Sequence, residues 1–274
     1  MFDFHLHSTV SFDAQDCALD MALAAKAKGL KEICFTDHKD YDPLGKMPDM
    51  AFHEEDYIKA YDNLSVEGLI IRKGMEFGMA VDNHAQFAKD LAVRNYDFVL
   101  GSVHFAQKLD VYLEEYWRDK TLFQAERVYL EETLKCVQSH DSFDVLAHLN
   151  FVSKGDANKY RTNLRYSDHQ EIVDEILKVL IAKGKGLELN TSGVDRCGGY
   201  LPEAPILQRF HDRGGRIVTI GSDAHNTARV GQYSQEACRL LKDIFGHVCT
   251  FANREPIFHK LKNVWAKPTA KRWA

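Results

Sequence analysis

Two imidazoles stand one residue apart near the amino terminus, His5 and His7 in "FDFHLH" (2–7), and more ionisable side chains recur along the chain in a shared position. "KEICFTDH" (31–38) ends in Asp37 and His38, "GLIIRKGMEF" (68–77) in Glu76, "YDFVLGSVH" (96–104) in His104 and "FDVLAHL" (143–149) in His148. "GLELNTSG" (186–193) carries Asn190 and Thr191, and "RIVTIGSDAH" (216–225) ends in Asp223 and His225. A lone histidine is more often structural than a ligand. Six of them, each at the carboxyl end of a short apolar run, share a position that chance does not supply. The other seven (His53, His84, His140, His169, His211, His247 and His259) fall on helical or loop stretches and read as solvated or capping residues.

Imidazoles with carboxylates suit zinc, manganese or iron, and no cysteine ends a run beside them. Six histidines with Glu76 and Asp223 exceed the three or four protein ligands of one catalytic ion, so more than one ion is expected. A carboxylate has two oxygens and can bridge cations. Clustered cations activate water at neutral pH and hold phosphoryl oxygens, which is the chemistry of phosphate-ester hydrolysis.

Something must bring these residues together. The seven apolar runs are rich in Val, Ile, Leu and Phe and have strand length. Helical stretches alternate with them. "DCALDMALAAKAKG" (16–29) places Leu19, Leu23 and Ala27 on one face and stops at Gly29. The helix of 168–184 groups Ile172, Ile176, Val179 and Leu180, with Ser167 as expected N-cap, Gln170 completing a capping-box spacing and Gly184 as stop. Further helices are expected near 54–66, 83–95, 121–138, 203–213 and 234–245. This alternation implies parallel βα units: an α/β, TIM-like barrel of seven units, (β/α)7, with the doubly wound open sheet as the alternative. In such a barrel the carboxyl ends of the strands meet at one mouth, where active sites lie.

Bulk properties agree with a globular α/β chain. It has 274 residues, 45% hydrophobic and 27% charged, enough to bury a core without staples. A net charge of −5 argues against nucleic acid or an anionic membrane as the main partner. No apolar run reaches membrane-spanning length, no signal peptide is legible, and six scattered cysteines read as reduced thiols, so the cytoplasm is the expected location.

The His-x-His opening, "TDH" with His38, "GME" with Glu76, "SVH" with His104 and the closing "SDAH" resemble the motifs of the PHP (polymerase and histidinol phosphatase) family over nearly the whole chain, from His5 to about His259. "FDFHLHSTVSFDA", "GSVHF" and "NREPIFHKL" are similar to the stand-alone histidinol-phosphatases of that family. The resemblance implies a distorted seven-unit barrel forming a single domain over 1–274, with 260–274 as a peripheral tail. It implies three divalent ions: one held by His5, His7, Glu76 and Asp223, a second by Glu76, His104 and His148, a third by Asp13, His38 and His225. Asp13, in the loop "VSFDAQD", could instead be a helix-terminal acid beside Asp16. The implied activity is hydrolysis of the small-molecule phosphomonoester L-histidinol phosphate to L-histidinol, a step of histidine biosynthesis. Glu76, Asp223 and His225 are the catalytic candidates; His225 or Asp223, where not committed to metal, could supply the leaving-group proton, and the sequence leaves that choice open.

A dianionic phosphate also needs cationic side chains, and arginine offers a bidentate fork. The irregular segment 150–169 carries Lys154, Lys159, Arg161 and Arg165, and "NTSGVDRCGGY" brings Arg196 to the same mouth. Arg161 and Arg196, with Lys154 behind them, are the phosphate-binding candidates; a solvated charged loop is the plain alternative. The competing functions are a phosphodiesterase or 3′-exonuclease of the same family, a non-catalytic metal-binding regulatory module, and a metallo-amidohydrolase. No aromatic-and-basic stacking platform favours the first, the ligand set has no gap that would favour the second, and Glu76 takes the bridging place a lysine would hold in the third.

Overall fold

The computed structural model describes residues 1–47, 50–155 and 157–261. Seven strands form one parallel sheet in chain order: β1 (Phe2–Leu6), β2 (Glu32–Phe35), β3 (Ile70–Gly78), β4 (Phe98–Ser102), β5 (Val145–Leu146), β6 (Gly186–Asn190) and β7 (Val218–Gly221). The last approaches the first. Asp223 N–H donates to the His5 carbonyl at 2.8 Å, His7 N–H to the Ala224 carbonyl at 2.9 Å, and Leu6 bridges Ala224 in parallel sense. The result is a nearly closed seven-strand barrel, and the open doubly wound sheet is set aside.

Side chains alternate along each strand with a period of two. Ile33, Phe35, Met75, Phe77, Leu187 and Leu189 belong to the large cluster between sheet and helices. Phe4, Cys34, Phe98, Leu100, Val145 and Ala147 form a second cluster. It also takes Cys249 and Phe251 from β8 (His247–Ala252), which pairs antiparallel with β9 (Glu255–Lys260). β1 breaks the alternation. Asp3 pairs with Ile33 but Leu6 with Phe35, so β1 carries one extra residue. That bulge lets the adjacent Phe4 and His5 both be used, Phe4 in the apolar cluster and His5 at the polar mouth.

The longer helices are α1 (Ala18–Ala27), α2 (Glu54–Tyr61), α3 (His84–Ala92), α4 (Leu122–Ser139), α5 (Tyr166–Ala182), α6 (Ala204–Asp212) and α7 (Ser234–Ile244). Two expectations about them are corrected. On α1 the buried face is Ala18, Met21, Ala22 and Ala25, while Leu19 and Leu23 are each 47% exposed; small residues let the helix lie close to the sheet. On α5 Ser167 is not the N-cap. The helix starts two residues earlier than expected, at Tyr166, whose N–H donates to Glu203 Oε1 at 2.6 Å, and a kink follows at His169. The same Ser/Thr-x-x-Gln spacing does make a reciprocal capping box at Thr121 and Gln124, which opens α4. On α5 Ile172, Ile176 and Leu180 are buried as expected.

His169 is also corrected, since it is 2% exposed and paired rather than solvated or capping; His140, equally buried, is the C-cap of α4, one of the two roles expected of it. His169 pairs with Glu126 Oε2 at 2.8 Å, and His140 Nε2 donates to the Ala80 carbonyl at 2.7 Å. No described helix is long and apolar enough to cross a membrane. Lys260, assigned to the tail, closes β9, and the basic stretch 262–274 lies outside the described residues.

Candidate metal centre

The mouth is built from one strand end after another. β1 delivers His5 and His7, and the chain after β2 delivers His38. Glu76 is near the end of β3, His104 two residues beyond β4, and His148 two residues beyond β5. Asp223 and His225 follow β7. Two of these residues sit in unusual backbone. Asp223 has φ 53° and His148 φ 21°, on the left-handed side that L-residues disfavour, and such strain persists where the surroundings hold it. Here they do: His148 N–H donates to Glu188 Oε2 at 2.8 Å, beside the Asp223 bond to His5.

Glu76, fully buried, lies at the centre. Oε2 is 3.2 Å from His5 Nε2, 3.5 Å from His7 Nε2 and 3.1 Å from His38 Nδ1. Oε1 is 2.9 Å from His148 Nε2 and 3.4 Å from His104 Nε2. Asp223 Oδ1 is 3.7 Å from His5 Nε2 and 3.5 Å from His7 Nε2. On the outer side Asp13 Oδ2 lies 3.2 Å from His225 Nε2, and Asp13 Oδ1 3.7 Å from His38 Nε2. His7 and His225 stack at 4.1 Å between ring centroids.

Burial alone would push the Glu76 carboxyl up, yet the surrounding His5, His38 and His104 hold it well below the ordinary carboxylate range. Burial and the neighbouring His225 and His38 push His7 well below the usual imidazole value, leaving it neutral and fit to donate a lone pair. His5 goes the other way: burial disfavours its charge, but Glu188, Glu76 and Asp223 outweigh that. Asp223 is held low against burial by Lys154, His5 and His225.

His5 Nε2, His7 Nε2, His38 Nδ1 and Glu76 Oε2 are buried with no hydrogen-bond partner, although they converge within a few ångströms. Buried polar atoms of this kind are paired as a rule. Four triads bring ligand atoms within 4.8 Å of one another: His5–His7–Asp223, His5–Glu76–His148, His38–Asp40–His104 and His7–His38–His225. The donor set is nitrogen and oxygen without sulfur and fits divalent cations.

The structure thus brings together all nine residues expected to ligate metal, Asp13 among them. It adds two that the sequence reasoning missed. Asp40 places Oδ2 3.0 Å from His38 Nδ1 and Oδ1 2.8 Å from His104 Nδ1. Glu188 Oε1 accepts from His5 Nδ1–H at 2.7 Å. Each had a legible signal: Asp40 lies two residues beyond His38, and Glu188 two before Asn190 on β6, at the same side of the alternation.

A cavity of about 490 Å³ opens over the centre. Lys154, partly buried, pairs with Asp223 Oδ2 at its wall. Arg196 lines it too, as does Arg229, which had not been singled out and which Asp195 holds at 3.1 Å. Arg161 is not brought there: it is exposed, at φ 47°, in the segment leading to α5, and is not among the lining residues.

A family model described as "PHP domain" matches residues 3–192. The histidinol-phosphatase of Lactococcus lactis subsp. lactis is 29% identical over 255 residues, 91% of this chain and 94% of that protein. A probable histidinol-phosphatase of Thermotoga maritima is 30% identical over 242 residues, 88% of this chain and 91% of that one. Among solved structures, the Lactococcus lactis histidinol phosphate phosphatase complexed with zinc, L-histidinol and phosphate matches with a TM-score of 0.80 at 27% identity, covering 93% of this chain and 98% of that one.

Proposed function

The chain belongs to the PHP domain family, and from that membership we propose that it is a metal-dependent phosphomonoesterase that converts L-histidinol phosphate and water to L-histidinol and phosphate. The observation that carries this reading is the convergence of unpartnered His5 Nε2, His7 Nε2 and Glu76 Oε2 beneath a cavity walled by Lys154 and Arg196.

Three ions of zinc, iron or manganese would be held by His5, His7, Glu76 and Asp223, by Glu76, His104 and His148, and by Asp13, His38 and His225, with Asp40 between His38 and His104. Bound there, divalent ions bring the pKa of water near neutrality and offset the charge of the phosphoryl oxygens. The chain's own groups do the rest. Lys154 and Arg196 orient the phosphate, and Arg229 extends that cationic wall. Glu188 and Asp40 fix the rings of His5 and His104 through their Nδ1 atoms, which leaves each Nε2 aimed inward. His225, which lines the cavity, hands a proton to the departing alkoxide, while Asp223, held as a carboxylate beside Lys154 and His5, does not.

The test is phosphate release by protein loaded with zinc or manganese from L-histidinol phosphate, a nitrophenyl phosphodiester and a short oligonucleotide. The phosphomonoester alone should turn over well, chelator should abolish turnover, and Glu76→Ala should lose at least about a hundredfold. Full activity in Glu76→Ala or His7→Ala would overturn the scheme. Preferred cleavage of the oligonucleotide would favour the exonuclease alternative.

A further inference from the structure

The cavity is lined by two unlike sets of side chains. One is the metal centre with Lys154, Arg196 and Arg229. The other comprises Phe12, Met47 and Leu113, which are 54%, 37% and 47% exposed, and one further acid, Asp110. Three large apolar side chains left open around one mouth are surface that a bound molecule would cover. Phe12 stands beside the metal ligands, its ring 5.6 Å from that of His38.

Asp110 is placed there by a small hairpin that leaves β4 just after His104. Phe105–Ala106 pairs antiparallel with Leu109–Asp110, so Asp110 lies opposite Phe105, and Val111 N–H donates to the His104 carbonyl at 3.1 Å. The turn residues Gln107 and Lys108 have φ 53° and 65°, a backbone usually given to Asn-Gly. The chain keeps this strained turn without glycine. The carboxylate is half-buried. Its Oδ1 accepts from Tyr112 N–H at 2.8 Å, while no described residue donates to Oδ2 and no described cation lies within ion-pair distance. Burial pushes the carboxyl up, the Tyr112 N–H and His104 pull against it, and Asp40 and Asp42 nearby add to the push. An acid in this setting is satisfied by a cation arriving with a ligand.

We infer that Asp110 binds the ammonium group of the alcohol that leaves the phosphate, and that Phe12, Met47 and Leu113 cover its flat ring. This rests on the phosphatase reading and names what would make it selective. The substrate's charges then match the cavity: phosphate toward the metals and cationic side chains, ammonium toward the lone acid. The ammonium, rather than the imidazole, is the partner because an aliphatic amine is charged at neutral pH and an imidazole largely is not.

The experiment compares wild type, Asp110→Asn and Asp110→Ala, under one metal loading, on L-histidinol phosphate and on the analogue that lacks the amine. Asparagine keeps an acceptor for Tyr112 N–H and removes only the charge. Asp110→Asn should raise KM for L-histidinol phosphate at least tenfold with kcat within about threefold, and weaken inhibition by L-histidinol alike. Its KM for the amine-free analogue should stay within twofold of wild type. Equal losses on both compounds, or none on either, would overturn the inference while leaving the phosphatase reading standing. Wild-type protein inert toward both would instead sink that reading.

Discussion

Glu188 Oε1 accepts the His5 Nδ1–H at 2.7 Å, and both side chains are fully buried although 183 positions separate them in the chain. The bond sets the tautomer of His5 and turns Nε2 toward Glu76 and Asp223. Partners of this kind raise ligand basicity, and losing one typically weakens metal binding 10- to 100-fold. Glu188→Gln is therefore expected to release metal to a competing chelator at roughly 10- to 100-fold lower chelator concentration than wild type. Unchanged metal retention would show that the bond does not orient the ring.

Arg196 lines the cavity and Arg161 does not. Arg196→Ala should raise KM for a phosphomonoester by about tenfold or more, the scale of a lost charged hydrogen bond of about 1.5–3 kcal/mol. Arg161→Ala should stay near wild type. Steady-state kinetics on the two variants distinguishes them, and the reverse order would mean that segment 154–165 folds over substrate differently from its arrangement here.

Lys28, just past α1, donates its three ammonium protons to the carbonyls of Thr227, Ala228 and Val230 at 3.0, 2.6 and 2.9 Å. The loop so gathered follows Asp223 and His225 and carries Arg229. Lys28→Met keeps the aliphatic stem and loses all three bonds. It should lower stability by about 1 kcal/mol, since the group is exposed, and raise KM more than it lowers kcat. Urea titration and kinetics read the two effects; a stability loss with KM unmoved would restrict Lys28 to the scaffold.

Asp174 ties α5 to α6 away from the metal centre. It accepts from Arg209 Nε at 2.9 Å, Arg213 Nη2 at 2.6 Å and Tyr166 OH at 2.9 Å. Arg209 first, then Tyr166 and Arg213, lower its carboxyl from 3.8 to about 2. A depressed folded-state value means stability present above the unfolded value and lost as pH falls from about 4 to about 2. Asp174→Asn should cost about 1 kcal/mol near pH 6, with the gap to wild type closing over that acid window. A gap independent of pH would mean that packing, not charge, is what the substitution removed.

The apolar runs and their polar ends were legible because each is local. Period-two strands, period-3.6 helices and a ligand after a strand are statements about neighbours in the chain, and they located the seven strands, the mouth and eight candidate ligands, while Asp13 came from the family resemblance. Local patterns also misled. Leu19 and Leu23 looked like the core face of α1 but are its open face, because the closely packed side is made of Ala and Met. Ser167 had a capping spacing, but Glu203, far along the chain, satisfies the helix start instead.

What the sequence by itself determined was the inventory: which residue types stand at which strand ends, and hence cation chemistry within a barrel. The tertiary structure alone decided the pairings. The extra residue in β1 turns His5 to the mouth, the closure of β7 on β1 carries Asp223 to it, and the barrel's curvature sets which oxygen of Glu76 faces which ring. Those distances arise from strands meeting across the whole chain, so no stretch of neighbouring residues records them. The same holds for Arg161 and Arg229, whose order in the chain says nothing about which one the mouth receives.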